Sequence, residues 1–487
     1  MEADFNLRSN LAPIVVVVCL TSIIWGIQKT RSRFFKGNET CSIPSVPYNF
    51  SFIGNGLQFS VDMPGFLSSC YKKYGIIFKL KIFRFSTVII CDRDLAELFY
   101  KFGEGTLSLY KNLGKLYFAD AFFRQKKDFP RYAEVIRKTV GNKIERFLPK
   151  MVEEADVFVS RLKQSLMENQ KIDLNYESNR YVISTSSRCL TDISLTDASY
   201  KSFTRFAKLL NTAVVSTYFC PVWILKICFQ WILNYLKSNI TKEITPTIEK
   251  YRSGEQNFEH SPFLRHTINT ADGGHMKNSD IGNFYVALLY TSSENSSTTL
   301  TNCLIDLLSH PKFWTEFQAK ASRYVAEKDY LAIVEDPFIH ACLLESARIS
   351  TQVLTIGRSP QKTVHLGKYE IGPEVDTIFL CGTFLQLEGS SASESYTNPK
   401  EFNPYRFVGE NETLEPAGPP SLTAWGGGSH LCPGKNFAIW EIKMALCFIA
   451  ANFTICLDPT VKIGVDYFAP KSIVRKCAKF IVTEKTG

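Results

Sequence analysis

The residues best equipped for chemistry lie late in the chain, in Ala424 to Ala451, AWGGGSHLCPGKNFAIWEIKMALCFIAA. Cys432 stands directly before Pro433, and proline favours the first helical position, so the thiol is expected at the entrance of a helix running from about Gly434 to Ala451. Unpaired N–H groups and the positive dipole end at such an entrance lower a thiol's pKa and favour the thiolate, the form that binds iron. Gly426 to Gly428 permit backbone angles and close approaches that a Cβ would block, so something large is expected beside them. The remaining cysteines, of fourteen in all, are scattered from Cys19 to Cys477 without a C-x-x-C pair. They read as free, mostly buried thiols in a reducing compartment. The seven histidines form no H-E-x-x-H, no G-x-S-x-G elbow occurs, and Gly434-Lys435 lacks the upstream Gly and following Ser/Thr of a phosphate loop. Zinc hydrolase, serine hydrolase and nucleotide-triphosphatase chemistries are thereby excluded.

Trp425, Gly428, His430, Cys432 and Gly434 resemble, in register, the haem-binding signature of the cytochrome P-450 family, with Trp425 where that family usually has Phe. A second mark of the family, E-x-x-R, is met three times, by Glu134/Arg137, Glu249/Arg252 and Glu345/Arg348. Residues three apart share a helix face, and an exposed pair of this kind adds only roughly 0.2–0.5 kcal/mol. Glu345/Arg348 suits the family's order, because NPKEFNPYRF follows it and there Arg406 resembles the meander arginine. The resemblance implies a buried charge triad of Glu345, Arg348 and Arg406. It also implies Cys432 as axial thiolate to the iron of haem b, flanked by Trp425, Gly428 and Gly434. Arg358 and His430 resemble the donors to the haem propionates. Arg137 falls where the family has W-x-x-x-R, without the Trp, and is a candidate third donor.

In the helix that crosses the haem, the family pattern of Ala/Gly, Gly, any residue, Asp/Glu, Thr, Thr/Ser is met by Thr291, Ser292, Ser293, Glu294, Asn295 and Ser296. The acid is kept as Glu294. Asn295 replaces the proton-relay Thr; its amide can hold a water but is a poor proton donor, which leaves Ser296 or an ordered water as the carrier. Asn at this place, with ESARI downstream, resembles the group of sterol 7-hydroxylases and prostacyclin synthase, together with fungal biosynthetic members.

These residues need a scaffold. The 487 residues are 45% apolar, with 56 basic and 47 acidic side chains, which is ordinary globular composition and not disorder or a coiled-coil rod. A net charge of +9 without a run of five or six Lys/Arg gives no footprint for nucleic acid. Residues 11–27 (LAPIVVVVCLTSIIWGI) carry no charge and would span roughly 25 Å as a helix, slightly less than a bilayer core. Lys29, Arg31, Arg33 and Lys36 follow, so the positive-inside rule puts the body in the cytosol, on a single-pass anchor in the endoplasmic reticulum membrane. A cleaved signal peptide is the rival; its small-x-small site is lacking and the basic residues lie on the wrong side. The expected organisation is a lumenal 1–10, the anchor 11–27, a basic and Pro-containing spacer 28–56, and a catalytic body 57–487.

Within that body GIIFKLKIF and STVIICD read as a hairpin, and DLAELFYKF as a helix capped by Asp94. Apolar spacing of i, i+3, i+4 runs from Tyr132 to Leu166, Ser202 to Tyr235 and Ile281 to Leu308. Ala213 to Leu233 is apolar enough to raise a second transmembrane helix, but Pro221 and Lys226 interrupt it, favouring helices that cover a pocket or dip into the membrane interface. The fold class is mainly α with small β-sheets, and the resemblance implies the P-450 fold.

A haem-thiolate monooxygenase is therefore expected, in which thiolate donation favours O–O cleavage. Electrons would come from NADPH through a membrane-bound NADPH–cytochrome reductase. The substrate would be a bulky apolar terpenoid or sterol-like molecule, oxidised with O2, in secondary metabolite biosynthesis. Residues 202–235, Tyr110 to Phe123, and Tyr290 to Ser296 would line the pocket. A reductase-independent isomerase or dehydratase is the sibling reading, motivated by Asn295; a non-catalytic haem sensor is the distant one.

Overall fold

The computed structural model describes residues 43–484 apart from 117–120, 124–127, 142–143, 169–171, 256–260, 271–275, 351–353, 355–356, 389–395, 410–412, 415–423, 462, 467–473 and 477–479. The proposed anchor and the first half of the spacer lie outside these residues.

The first described elements form a small β-rich corner. Helices α1 (Gly56–Val61) and α2 (Met63–Tyr74) precede strands β1 (Ile77–Ile82) and β2 (Phe85–Ile90). The two strands pair antiparallel from Ile77↔Ile90 to Ile82↔Phe85, as their alternation predicts. Residues 43–56 are no free spacer. Ser45 bridges Lys79, Gly54 bridges Ile82, and Ile43 and Val46 are buried, because the edge of β1 offers unpaired N–H and C=O groups. Helix α3 (Arg93–Lys101) begins one turn of reasoning away from expectation: Asp92, not Asp94, caps it by accepting from Leu95 N at 2.9 Å. Asp94 lies inside the first turn.

The helical body follows. Strand β3 (Leu107–Ser108) leads into α4 (Leu109–Lys115), then α5 (Asp128–Val140), α6 (Leu148–Met167), α7 (Leu174–Thr191) and α8 (Asp197–Ser216). The periodic stretch from Tyr132 to Leu166 is two helices, because Gly141 takes φ +51° and Pro149 starts a new helix. Likewise Ala213 to Leu233 is no second membrane span: α8 ends at Ser216, and Pro221 opens α9 (Val222–Ser253). Among the described residues no helix is long and apolar enough to cross a membrane.

Helix α10 (Pro262–Thr270) precedes α11 (Asn278–Ser309), whose 32 residues run about 48 Å at 1.5 Å each. Then come α12 (Pro311–Glu327), α13 (Tyr330–Glu335) and α14 (Pro337–Ile349). Strands β4 (Ser359–Pro360), β5 (Val364–Leu366), β6 (Tyr369–Ile371) and β7 (Thr377–Leu380) complete the corner, β7 adding parallel to β2 with Thr87↔Thr377. Helix α15 (Lys435–Asn452) and strands β8 (Phe453–Leu457), β9 (Gly464–Asp466), β10 (Val474–Lys476) and β11 (Phe480–Glu484) close the described chain.

Two apolar cores meet along α11. One gathers α5, α8, α9 and the first half of α11; the other gathers α6, α7, α12, α14 and α15. Every described cysteine is free, and eight are buried, as expected of small apolar side chains.

Candidate active site

Helix α11 is largely buried from Ile281 to Tyr290 and again from Leu300 to Leu307, but between them lies the polar run TSSENSSTT. Its hydroxyls are satisfied by their own helix: Thr291 donates to Ala287 O at 2.9 Å, Ser292 to Leu289 O at 3.2 Å, and Thr299 to Asn295 O at 2.8 Å. Thr291 Oγ1 also lies 2.7 Å from the hydroxyl of buried Tyr132 on α5, which is close enough to Cys432 to feel its charge. One turn further on, Asn295 is exposed although Ser293, Ser296 and Ser297 are buried. Through Tyr132 the Thr291 end of this stripe is linked to the neighbourhood of Cys432.

Glu294 points elsewhere, toward α8. Asn211 Nδ2 sits 3.2 Å from both of its oxygens, and Asn211 Oδ1 accepts from Tyr290 OH at 2.5 Å. Ser296 turns inward, beside the carboxyl of fully buried Glu441 on α15; burial pushes that acid well above the usual carboxylate range, only partly opposed by Ser296 and Ser186. The three residues expected to act together therefore face three directions. Phe122 meets Phe206 at 5.5 Å and Tyr290 at 5.3 Å, and Phe123 meets Tyr132 and Phe284. This brings together the parts of the three expected pocket segments that are described, as an aromatic wall.

Cys432 is half-buried and its N–H donates to Trp425 O at 2.8 Å. The helix starts at Lys435 with Gly434 as its cap. Contrary to the sequence expectation, the sulfur is not simply acidified: burial pushes the Cys432 thiol up, while the Gly434 N–H and the Lys435 ammonium pull it down without cancelling that penalty. The glycine run accommodates protein first. A Cβ on Gly428 would lie 2.1 Å from Tyr100 O, and one on Gly427 2.8 Å from the Tyr100 ring, so the large neighbour is Tyr100 of α3. Gly428 also takes φ +61°, which disfavours any side chain.

The candidate propionate donors flank this loop. Buried Arg358 donates to Phe99 O, Phe102 O and Gly427 O at 3.3, 3.1 and 2.9 Å and lies over the rings of Phe99 and Tyr100. His430 Nε2 is 3.0 Å from Glu104 Oε2, and Tyr110 meets its ring edge-on at 5.7 Å. Arg137 is exposed on α5, within electrostatic reach of Tyr110 and so on the same side.

Behind the site, Glu345 and Arg348 are wholly buried and bidentate, with Nε–Oε2 2.8 Å and Nη2–Oε1 2.9 Å. Arg406 Nε reaches Glu345 Oε1 at 2.8 Å, and the ring of Tyr396 lies under both guanidiniums. Of the three E-x-x-R pairs only this one is buried; Glu134 is exposed and pairs with Lys138 at 2.7 Å.

The sequence profile of the family described as cytochrome P450, written here P-450, matches residues 44–483. The chain belongs to the cytochrome P-450 family. It is 36% identical over 448 residues to a probable lanosterol 14-alpha demethylase of Acanthamoeba polyphaga mimivirus, covering 91% of this chain and 62% of that protein. The chain therefore spans less than two thirds of that relative's length. It is 23% identical over 432 residues to obtusifoliol 14-alpha demethylase of Triticum aestivum, covering 85% of this chain and 91% of the other. The crystal structure of the cytochrome P-450DA heme domain matches with a TM-score of 0.73 at 17% identity, covering 92% of this chain and 98% of that one, which shows the shared fold.

P-450 proteins bind haem iron through a cysteine thiolate. The residues here fit that group. A half-buried sulfur has an N–H and a cation beside it, and the buried Trp425 Nε1 has no hydrogen-bond partner among the described residues. Sequence reasoning missed Tyr100, Glu104, Tyr132 and Asn211. Their signal is spatial: each meets a recognised residue from an element more than 75 positions away.

Proposed function

We propose that this P-450 is a haem-thiolate monooxygenase that oxidises a sterol-like apolar substrate with electrons from NADPH delivered by a reductase. The observation that carries the reading is Cys432, held by Trp425 O and Gly434 N–H at the foot of α15. Bound there, the haem would supply dioxygen activation. Cys432 would hold the iron, and its Gly434 N–H would temper the charge on the sulfur.

The chain's own part is position and protons. Phe122, Phe206, Tyr290 and Phe284 pack together as a buried aromatic wall that excludes water and against which a rigid polycyclic substrate would be seated. Asn295 would hold a water through its amide, and Glu294, anchored by Asn211, would pass protons inward from the solvent side. Sterol chemistry is supported by the names of two relatives, the mimivirus and wheat 14-alpha demethylases. A place in secondary metabolism rests on the Asn295 resemblance alone.

Membrane attachment is part of the proposal. It is supported by the uncharged residues 11–27 and by a ridge on α9, where Trp223, Ile227, Trp231 and Tyr235 are each more than 60% exposed at four-residue spacing. The basic residues after position 27 support an orientation with the body in the cytosol, which suits the endoplasmic reticulum membrane.

The test is reconstitution with NADPH–cytochrome reductase and a panel of 14-methyl sterols, read by mass spectrometry, beside the spectrum of the reduced protein under carbon monoxide. Product dependent on NADPH and reductase, with a strongly red-shifted Soret band that Cys432→Ala abolishes, is expected. A band that survives Cys432→Ala overturns the ligand assignment; turnover without reductase favours the isomerase that Asn295 suggests.

A further inference from the structure

The acid that meets His430 is not an incidental surface partner. Glu104 Oε1 accepts from the Ser108 hydroxyl and from Tyr110 N at 3.2 Å, and Oε2 lies 3.0 Å from both Leu109 N and His430 Nε2. These four contacts fill the acceptor directions of a carboxylate. Burial works against its charge, yet His430, Ser108 and Leu109 together hold its carboxyl below the usual range. Gly103 and Gly105 flank it with open space around their Cα atoms, so the turn is free to carry the acid inward.

The same turn is gripped from its other side. Arg358 donates to Phe99 O and Phe102 O, Lys111 Nζ to Pro360 O at 3.0 Å, and Gln361 N to Thr106 O at 2.9 Å. Both candidate propionate donors thus spend bonds on one segment, Phe99 to Tyr110. Glu104 holds the His430 ring by charge at 3.0 Å, while Nε2 itself makes no aligned hydrogen bond among the described residues and stays open to another acceptor.

We propose that Glu104 is a positioning residue for the haem, holding His430 by charge so that its ring N–H meets a propionate. This rests on the reading that the site binds haem with His430 at its carboxylate edge. A cap for α4 alone would explain the contacts to Leu109 and Tyr110, but not the one to His430.

The experiment uses the full-length holoprotein and four variants: Glu104→Ala, Glu104→Gln, His430→Ala, and the Glu104→Ala/His430→Ala pair. Haem loss is timed by transfer to excess apomyoglobin, and the haem midpoint potential is measured by redox titration. Glu104→Ala is expected to speed haem loss on the order of tenfold, the worth of one charge-assisted hydrogen bond. The pair should lose haem no faster than His430→Ala. Removing a negative charge beside the haem edge should move the potential positive in Glu104→Gln, which keeps an acceptor for the turn and serves if the Ala variant fails to fold.

Wild-type haem loss and potential in the Glu104 variants overturn the proposal, as do effects that multiply in the pair, since these mark an independent cap. If His430→Ala itself retains haem like the wild type, the underlying reading of His430 fails instead, and the proposal with it.

Discussion

Replacing Glu345 by Gln probes the framework behind the cysteine with a magnitude set by geometry. Glu345 receives Arg348 Nε at 2.8 Å, Arg348 Nη2 at 2.9 Å, Arg406 Nε at 2.8 Å and Asn403 N at 2.9 Å. Glu345 and Arg348 are 0% exposed. Glutamine keeps the shape but brings one acceptor oxygen, turns an NH2 toward a guanidinium, and leaves two cations without a counter-charge. Removing one partner of a buried pair costs about 3–5 kcal/mol, roughly a fifth or more of the ~5–15 kcal/mol that holds a typical domain. With a urea slope of about 3 kcal/mol/M, the unfolding midpoint should fall by at least ~1 M. The control is Glu134→Gln, which has the same E-x-x-R spacing but a side chain 47% exposed against Lys138, and should change stability by less than about 1 kcal/mol. Urea titration followed by far-ultraviolet circular dichroism and by the carbon monoxide band measures both. Equal midpoints for the two variants, or a Glu345→Gln midpoint at the wild-type value, would refute the argument that burial distinguishes them.

Three further outcomes are expected. Asn295→Ala should raise the NADPH consumed per product by roughly tenfold or more, as a proton-handling group is lost; unchanged coupling removes Asn295 from that role. Burial lowers Lys237 from its ordinary value near 10.5 to about 8, so between these values the unfolded chain holds a proton that the folded chain lacks. The Lys237 contribution to stability therefore grows as pH rises from 8 to 10.5, and urea midpoints across that range should climb less, or fall more, in Lys237→Met than in the wild type. Parallel pH profiles would show that Lys237 keeps its proton. Finally, brominated phospholipids in vesicles should quench the fluorescence of Trp223 and Trp231 in the full-length protein; quenching identical in wild type and Trp223→Phe/Trp231→Phe would place the α9 ridge away from lipid.

What the sequence disclosed and what it hid differ by the range of the physics involved. Cys432, its glycines and the Glu345/Arg348 pair are local patterns, and so is the α11 interruption TSSENSSTT. The helix break at Pro221 is also local and legible, whereas the one at Gly141 is hidden because apolar periodicity continues across it. The Asp92 cap was missed by two positions for a related reason: two aspartates flank Arg93, and only the backbone decides which reaches Leu95 N. The thiol's acidity was misjudged because a helix entrance is visible in sequence and desolvation is not. Asn211, Tyr132 and Glu104 could not be found at all, since each acquires meaning from a partner distant along the chain.

The contact between Tyr100 and Gly427-Gly428 ties the sheet corner to the metal-binding end of the molecule. With no room there for even a methyl group, the two regions must travel as one solid piece. Among the described residues, α8 and α9, the helices beside the proposed substrate space, show no such close backbone contact with the cysteine segment. They can therefore be remodelled for new substrates, or lift to admit one, while the sulfur stays where it is.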